Sequence, residues 1–91
     1  MNNKVLIKVI VPDLDSSFDM FIPVNEVIWK VKKLVVKTIQ DLTNIQPTQT
    51  DKFTFINKGN SRIYGNNEII FNTDIRNSTE IILICQKKSN I

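Results

Sequence analysis

The chain has 91 residues, with 12 Lys and Arg against 9 Asp and Glu for a formal charge of +3, no His and one Cys. That length supports a single core, burying about 60% or somewhat more of the surface the unfolded chain exposes. The composition excludes His-based acid/base chemistry, a Ser–His–Asp or Cys–His nucleophile, a Cys/His zinc site and an intrachain disulfide.

Met1-Asn2-Asn3-Lys4 leads straight into a Val/Ile run with Lys8 inside it, which is not a signal peptide. Residues 4–12 are an unbroken β-branched strand that Pro12 closes. Asp13-Leu14-Asp15-Ser16 is turn chemistry. Ser17 to Pro23 alternates, with Phe18, Met20 and Ile22 on one side and Ser17, Asp19 and Phe21 on the other, so the two strands form a hairpin. The period then becomes helical. Val24, Val27, Ile28, Val31, Leu34, Val35, Ile39 and Leu42 fall within about 75° of one direction. This predicts a helix over roughly 25–42, with Asn25 as N-cap, Glu26 in the first turn and Pro47 forbidding continuation.

Lys52 to Asn57 alternates again, with Phe53 and Phe55 opposite Thr54 and Ile56. Lys58-Gly59-Asn60 is a turn. Residues 61–64 read as a short edge strand, and 68–78 as irregular chain anchored by Ile69, Ile70, Phe71 and Ile75. Thr79 to Gln86 is the last strand, and 87–91 should fray. No apolar stretch approaches the roughly 18 residues of a membrane span. The order is β-β-α-β-β-β in one domain over 1–91, with its core about 4–86. An α+β fold follows, a four- to five-stranded mixed sheet packed on one helix, which is the β-grasp arrangement.

These residues resemble the ubiquitin-like fold, and within it the YukD/EsaB family of bacterial type VII (ESX-type) secretion systems. The resemblance covers about residues 4–85. It is carried by Ile22-Pro23-Val24 entering the helix, by Phe53-Thr54-Phe55-Ile56-Asn57-Lys58-Gly59, by Tyr64-Gly65-Asn66-Asn67-Glu68-Ile69, and by Asp74-Ile75-Arg76-Asn77-Ser78-Thr79-Glu80-Ile81-Ile82-Leu83-Ile84. The last segment departs from the family pattern where Ser78-Thr79 replaces Gly-Asp. The resemblance implies a small cytoplasmic bacterial protein, an accessory or regulator of secretion. It would bind protein partners without covalent transfer, among them a cytoplasmic domain of a membrane component, and could form a homodimer. No Gly follows Gly65, so the Gly-Gly tail of a covalent modifier or sulfur carrier is missing. The opening Met1 and short tail fit a complete small protein better than a domain cut from a larger one.

With no catalytic constellation, the expectation is no enzyme, no metal and no cofactor, and function must sit on a surface. Alternation turns Val5, Ile7, Val9, Val11, Phe53, Phe55, Ile81, Leu83 and Cys85 toward the helix. It leaves Leu6, Ile10, Ile56, Ile82 and Ile84 on the open face of the sheet, with Lys8 and Thr54 at the rim. That quintet is the predicted protein-binding surface, against the alternative of β-branched residues tolerated on a sheet. Trp29, about 150° from the stripe centre, is either a second contact or a side chain packed on its own Lys stems. Lys30, Lys33 and Lys37 form a basic ridge. With Glu26 and Asp41 at i,i+4 spacing, it reads as a solvated face rather than a site for nucleic acid or anionic lipid. Arg62 and Arg76 read as isolated loop surface, Cys85 as a small core residue, and Asp13, Asp15 and Asp19 as turn residues rather than calcium ligands.

Overall fold

The computed structural model describes residues 3–44 and 52–86. Pro47 and the tail 87–91, both used in the sequence reading, lie outside the described residues. The strands are β1 (Lys4–Val11), β2 (Ser16–Pro23), β3 (Lys52–Asn57) and β4 (Glu80–Gln86), and the helix is α1 (Ile28–Thr43). They form one mixed sheet of order β2-β1-β4-β3. β1 runs antiparallel to β2 and parallel to β4, and β3 is antiparallel to β4. Pro12 ends β1 as expected, and Pro12–Leu14 forms a 3₁₀ turn closed by Asp15 at φ 49°.

Alternation in β1, β3 and β4 turns Ile7, Val9, Val11, Phe55, Ile81 and Leu83 inward, where they meet Ile22 of β2 and Ile28, Val31, Val35 and Ile39 of α1. Removing one such side chain from water stabilises the fold by about 1.5–3 kcal/mol. Tyr64, Ile70 and Ile75, from the chain between β3 and β4, complete this core.

Several expectations shift. The segment 61–64 is not a strand; it makes a single antiparallel bridge, Ile56 to Ile63, so the sheet has four strands. α1 begins at Ile28 and its N-cap position is Val27, without a side-chain cap, so Asn25 does not cap it. The reason is tertiary. Residues 24–27 are already bonded elsewhere: the Val24 carbonyl accepts from Phe71 N–H, the Glu26 carbonyl accepts from Ile70 N–H, and Val27 bridges Ile69. The first helical N–H groups are satisfied from outside the helix, Ile28 by the Glu68 carbonyl at 2.8 Å and Trp29 by the Asn66 carbonyl at 3.1 Å. At its far end, Asn44 takes φ 59° and donates to the Gln40 carbonyl, a left-handed stop.

The buried stripe is narrower than predicted. Leu34 and Leu42 are exposed, while Val36 packs on the core's flank. The buried row follows Ile28, Val31, Val35 and Ile39, and Leu34 stands about 100° away from its centre. Phe71 is 70% exposed and Ile69 is also exposed, so only Ile70 and Ile75 of the four expected anchors point inward. A 3₁₀ turn over Ile70–Asn72 explains this: adjacent side chains on so tight a turn cannot share a direction. Cys85 is half-buried at the sheet margin rather than fully in the core.

Candidate functional site

Strand register decides what the open face presents. Ile10 on β1 is paired with Ile82 on β4, and Ile82 is paired with Ile56 on β3. Ile63 extends this line through its bridge to Ile56 and is 64% exposed. Four isoleucines therefore run in a row across the sheet. Ile10, Ile56 and Ile82 are half-buried by their neighbours, while Ile63 stands clear at the edge. Ile84 lies one pleat further along β4 beside Thr54, where β1 has ended and the 3₁₀ turn at Pro12–Leu14 packs against β4.

Leu6 does not join this row. Its cross-strand partner is Phe21, which is 58% exposed. Between the two apolar groups lies a line of charge. Lys8 is paired with Asp19 on one side and Glu80 on the other, and Glu80 meets Lys58 at 3.3 Å. The signs read minus on β2, plus on β1, minus on β4 and plus on Lys58, the residue after β3. The predicted quintet thus divides into Ile10–Ile56–Ile82 with Ile84 on one side of the charged line and Leu6 on the other. Phe21 and Ile63 are the two residues the sequence reading left out. Phe21 was within reach, because the alternation that put Leu6 outward also put Phe21 outward.

Trp29 lies away from the open face, at the start of α1. It is 40% exposed, with the Lys30 and Lys33 ammonium groups 5.6 and 5.3 Å from its ring centre. Glu26 pairs with Lys30 at 3.7 Å, as the i,i+4 spacing predicted. Trp29 also borders a shallow groove of about 550 Å³, lined further by Lys32, Lys52, Phe53, Ile63 and Asn66. Lys32 donates to Asn66 Oδ1 at 2.7 Å, and burial lowers its pKa.

Arg62 and Arg76 are not isolated. Arg62 donates to Glu68 Oε1 at 2.7 Å, lies 3.4 Å from Asp74 Oδ1 and stacks 5.0 Å over the Tyr64 ring. Tyr64 is buried, donates its hydroxyl to Asp74 Oδ1 at 2.5 Å and accepts from Asn57 Nδ2 at 3.1 Å. Burial, followed by the Asp74 hydrogen bond, pushes the Tyr64 pKa up to about 12. Asp74 is held below the usual carboxylate range, first by the Tyr64 hydroxyl and then by the Asn60 amide. Glu68 is lowered chiefly by the Gly65 N–H. Arg76 bonds the Thr73 and Ile75 carbonyls at 2.7 and 2.8 Å. These groups organise the chain between β3 and β4. Among the described residues no group of three or more Cys, Asp or Glu is placed to hold a metal ion, and no helix is long and apolar enough to cross a membrane.

No protein-family model matches the sequence, and no curated protein matches it. Solved structures do match. A chain of the MycP5-free ESX-5 inner membrane complex superposes with a TM-score of 0.77 at 6% identity, over 99% of this chain and 23% of that one. The N-terminal ubiquitin-like domain of the 4931431F19Rik protein gives 0.73 at 14% identity, over 100% and 83%. The EccD5 ubiquitin-like domain from Mycobacterium xenopi gives 0.70 at 10% identity, over 97% and 100%. This chain spans less than a quarter of the ESX-5 chain and the whole of the EccD5 domain. At such identities the likeness is one of architecture: four strands in the order β2-β1-β4-β3 on a single helix give this chain the ubiquitin-like β-grasp fold.

Proposed function

We propose that the protein is a non-catalytic, non-covalent binding module that docks a protein partner on the row Ile10, Ile82, Ile56 and Ile63, flanked by Ile84. The observation that carries this reading is the register: four aliphatic side chains line up on the one sheet face that α1 leaves uncovered. A contiguous apolar strip rimmed by charge is the usual anatomy of a contact surface. Thr54 and the line of Lys8 and Glu80 form its polar rim.

The setting we propose is a cytoplasmic accessory or regulatory role in an ESX-type secretion system, with a cytoplasmic domain of a membrane component as the partner. Two things support it: the resemblance of the sequence to the YukD/EsaB pattern, and structural likeness to an ESX-5 inner-membrane chain and to the EccD5 ubiquitin-like domain. Capture of partners from native cells tests it. Ile82→Asp should fold as the parent does and lose the captured membrane component, whereas Lys37→Asp, on the helix, should retain it. Equal capture by both variants would overturn the docking surface.

Self-association is a second reading, favoured by the alternating line Asp19, Lys8, Glu80 and Lys58. A two-fold axis parallel to the strands and between β1 and β4 reverses that order, so each charge would meet its opposite and the Ile rows would overlie. Sedimentation equilibrium separates the readings. A dimer abolished by Ile82→Asp supports self-association, and a monomer at every concentration removes it.

A further inference from the structure

The groove beside Trp29 adjoins the Ile row, sharing only its edge residue Ile63, and carries its own implication. Its floor is apolar, built from Trp29, Phe53 and Ile63. The charged side chains that line it, Lys32 and Lys52, are both basic; Lys33 flanks the Trp29 ring, as does Lys30, which Glu26 pairs. Lys32 is half-buried as a residue, and its ammonium donates to a neutral amide, Asn66 Oδ1. Desolvation there disfavours its charged form, and an anion would relieve that cost.

The groove also follows a strand edge. β3 is outermost in the sheet. Its outer side is paired at the Asn57 end, where Asn57 N–H donates to the Arg62 carbonyl and Tyr64 N–H to the Phe55 carbonyl. From Lys52 to Thr54 no strand pairs with that side among the described residues. An extended chain laid there would find main-chain partners on β3, lysines on either side of the strand and an aromatic floor.

We infer that this groove takes an extended acidic segment of another protein, added as a strand beside Lys52–Thr54, with carboxylates against Lys32 and Lys52 and an apolar side chain on Trp29 and Phe53. The inference does not depend on the Ile row.

Trp29 is the single Trp of the chain, so its fluorescence reports occupancy directly. The probe is the heptapeptide acetyl-Glu-Glu-Glu-Leu-Glu-Glu-Glu-amide, whose carboxylates fall on both faces of an added strand around a single Leu, with its Gln-for-Glu counterpart as control. Titration into the full chain should give a saturable change in Trp29 emission that weakens as salt rises. The Gln counterpart should bind about tenfold more weakly, and the double variant Lys32→Gln/Lys52→Gln should lose a similar factor for the acidic peptide. Ile82→Asp should leave the affinity unchanged, which keeps this result separate from the fate of the Ile row. The inference is overturned if no saturable change occurs up to millimolar peptide, or if the Gln peptide binds equally well. Loss of binding in Ile82→Asp would also overturn it by moving the peptide to the open face. A dimer that the double lysine variant abolishes, without peptide binding, would do so by assigning the groove to a second copy.

Discussion

Around α1 the molecule is held by apolar periodicity: Ile28, Val31, Val35 and Ile39 on the helix meet Ile7, Val9, Phe55 and Ile81 on the sheet. Between β3 and β4 it is held by directed polar bonds. Tyr64, Asp74, Arg62, Glu68 and Asn60 of that connection interlock with Asn57 at the end of β3, and Tyr64, Ile70 and Ile75 reach the apolar core. The first region tolerates exchange of one aliphatic for another at modest cost. The second depends on particular atoms at particular distances, and a missing partner strands the other. Substitutions that strike one region or the other turn this contrast into numbers.

The largest effect belongs to the apolar half. Phe55 is fully buried, and Phe55→Ala should cost about 3–5 kcal/mol. For a domain of this size that approaches the whole stability, so urea denaturation should find it largely unfolded. A loss below about 1 kcal/mol would show that the helix and sheet are not packed on that ring.

The polar half should respond less in magnitude but differently with pH. Tyr64→Phe keeps the ring and removes one hydroxyl, costing about 1–2 kcal/mol near neutral pH. Asp74 and Glu68 titrate below their ordinary values in the fold. The unfolded chain therefore binds protons first as pH falls. The stability these carboxylates add is present above about pH 4–5 and is lost on acidification through the lowered values. Tyr64, raised to about 12, contributes stability that is full below about pH 10 and is lost as pH climbs toward that value. Lys32, with a lowered pKa, works in the opposite direction on the alkaline side. In Tyr64→Phe the Asp74 carboxyl loses the chief cause of its lowering, so the acid-side loss should shrink and the Tyr64 alkaline loss should vanish. Denaturation curves at several pH values check both arms; an unchanged acid arm would remove Tyr64 as Asp74's main partner.

The smallest effect has the opposite sign. Ser78 sits at φ 75°, in the region that favours glycine, at the position where the YukD/EsaB pattern that the sequence resembles carries Gly. The turn nevertheless forms. Ser78 N–H donates to the Leu6 carbonyl, and Thr79 Oγ1 accepts from Arg76 N–H at 2.9 Å. Thr79 thus accepts a local hydrogen bond at the position where the pattern has Asp. Ser78→Gly should raise stability by about 0.5–1 kcal/mol, read as a small increase in melting temperature. A decrease would mean that the serine side chain contributes more than its backbone strain costs.

What could be read from the sequence follows the same division. Period 2 in β1, β3 and β4 and period 3.6 in α1 located the elements and their inward faces, because one side chain in two or in three or four must leave water. The helix start was not legible. The carbonyls that receive Ile28 and Trp29 belong to Glu68 and Asn66, nearly forty residues along the chain. Nor were the roles of Tyr64 and Arg62, since a Gly- and Asn-rich connection carries no period and its bonds are fixed by tertiary placement. On the open face, parity gave the outward residues, but only register shows that Lys8, Asp19 and Glu80 part Leu6 from the Ile row.

The measurement closest to the central claim compares two consecutive residues of β4. Ile81 is fully buried, while Ile82 stands half-buried on the opposite face of the sheet, between Ile10 and Ile56. Ile81→Asp should place an unpaired carboxylate in the core and fail to fold. Ile82→Asp should keep the parent's circular dichroism and cooperative melting while losing partner capture. Collapse of both variants, or full partner capture by Ile82→Asp, would contradict a docking surface on this face of the sheet.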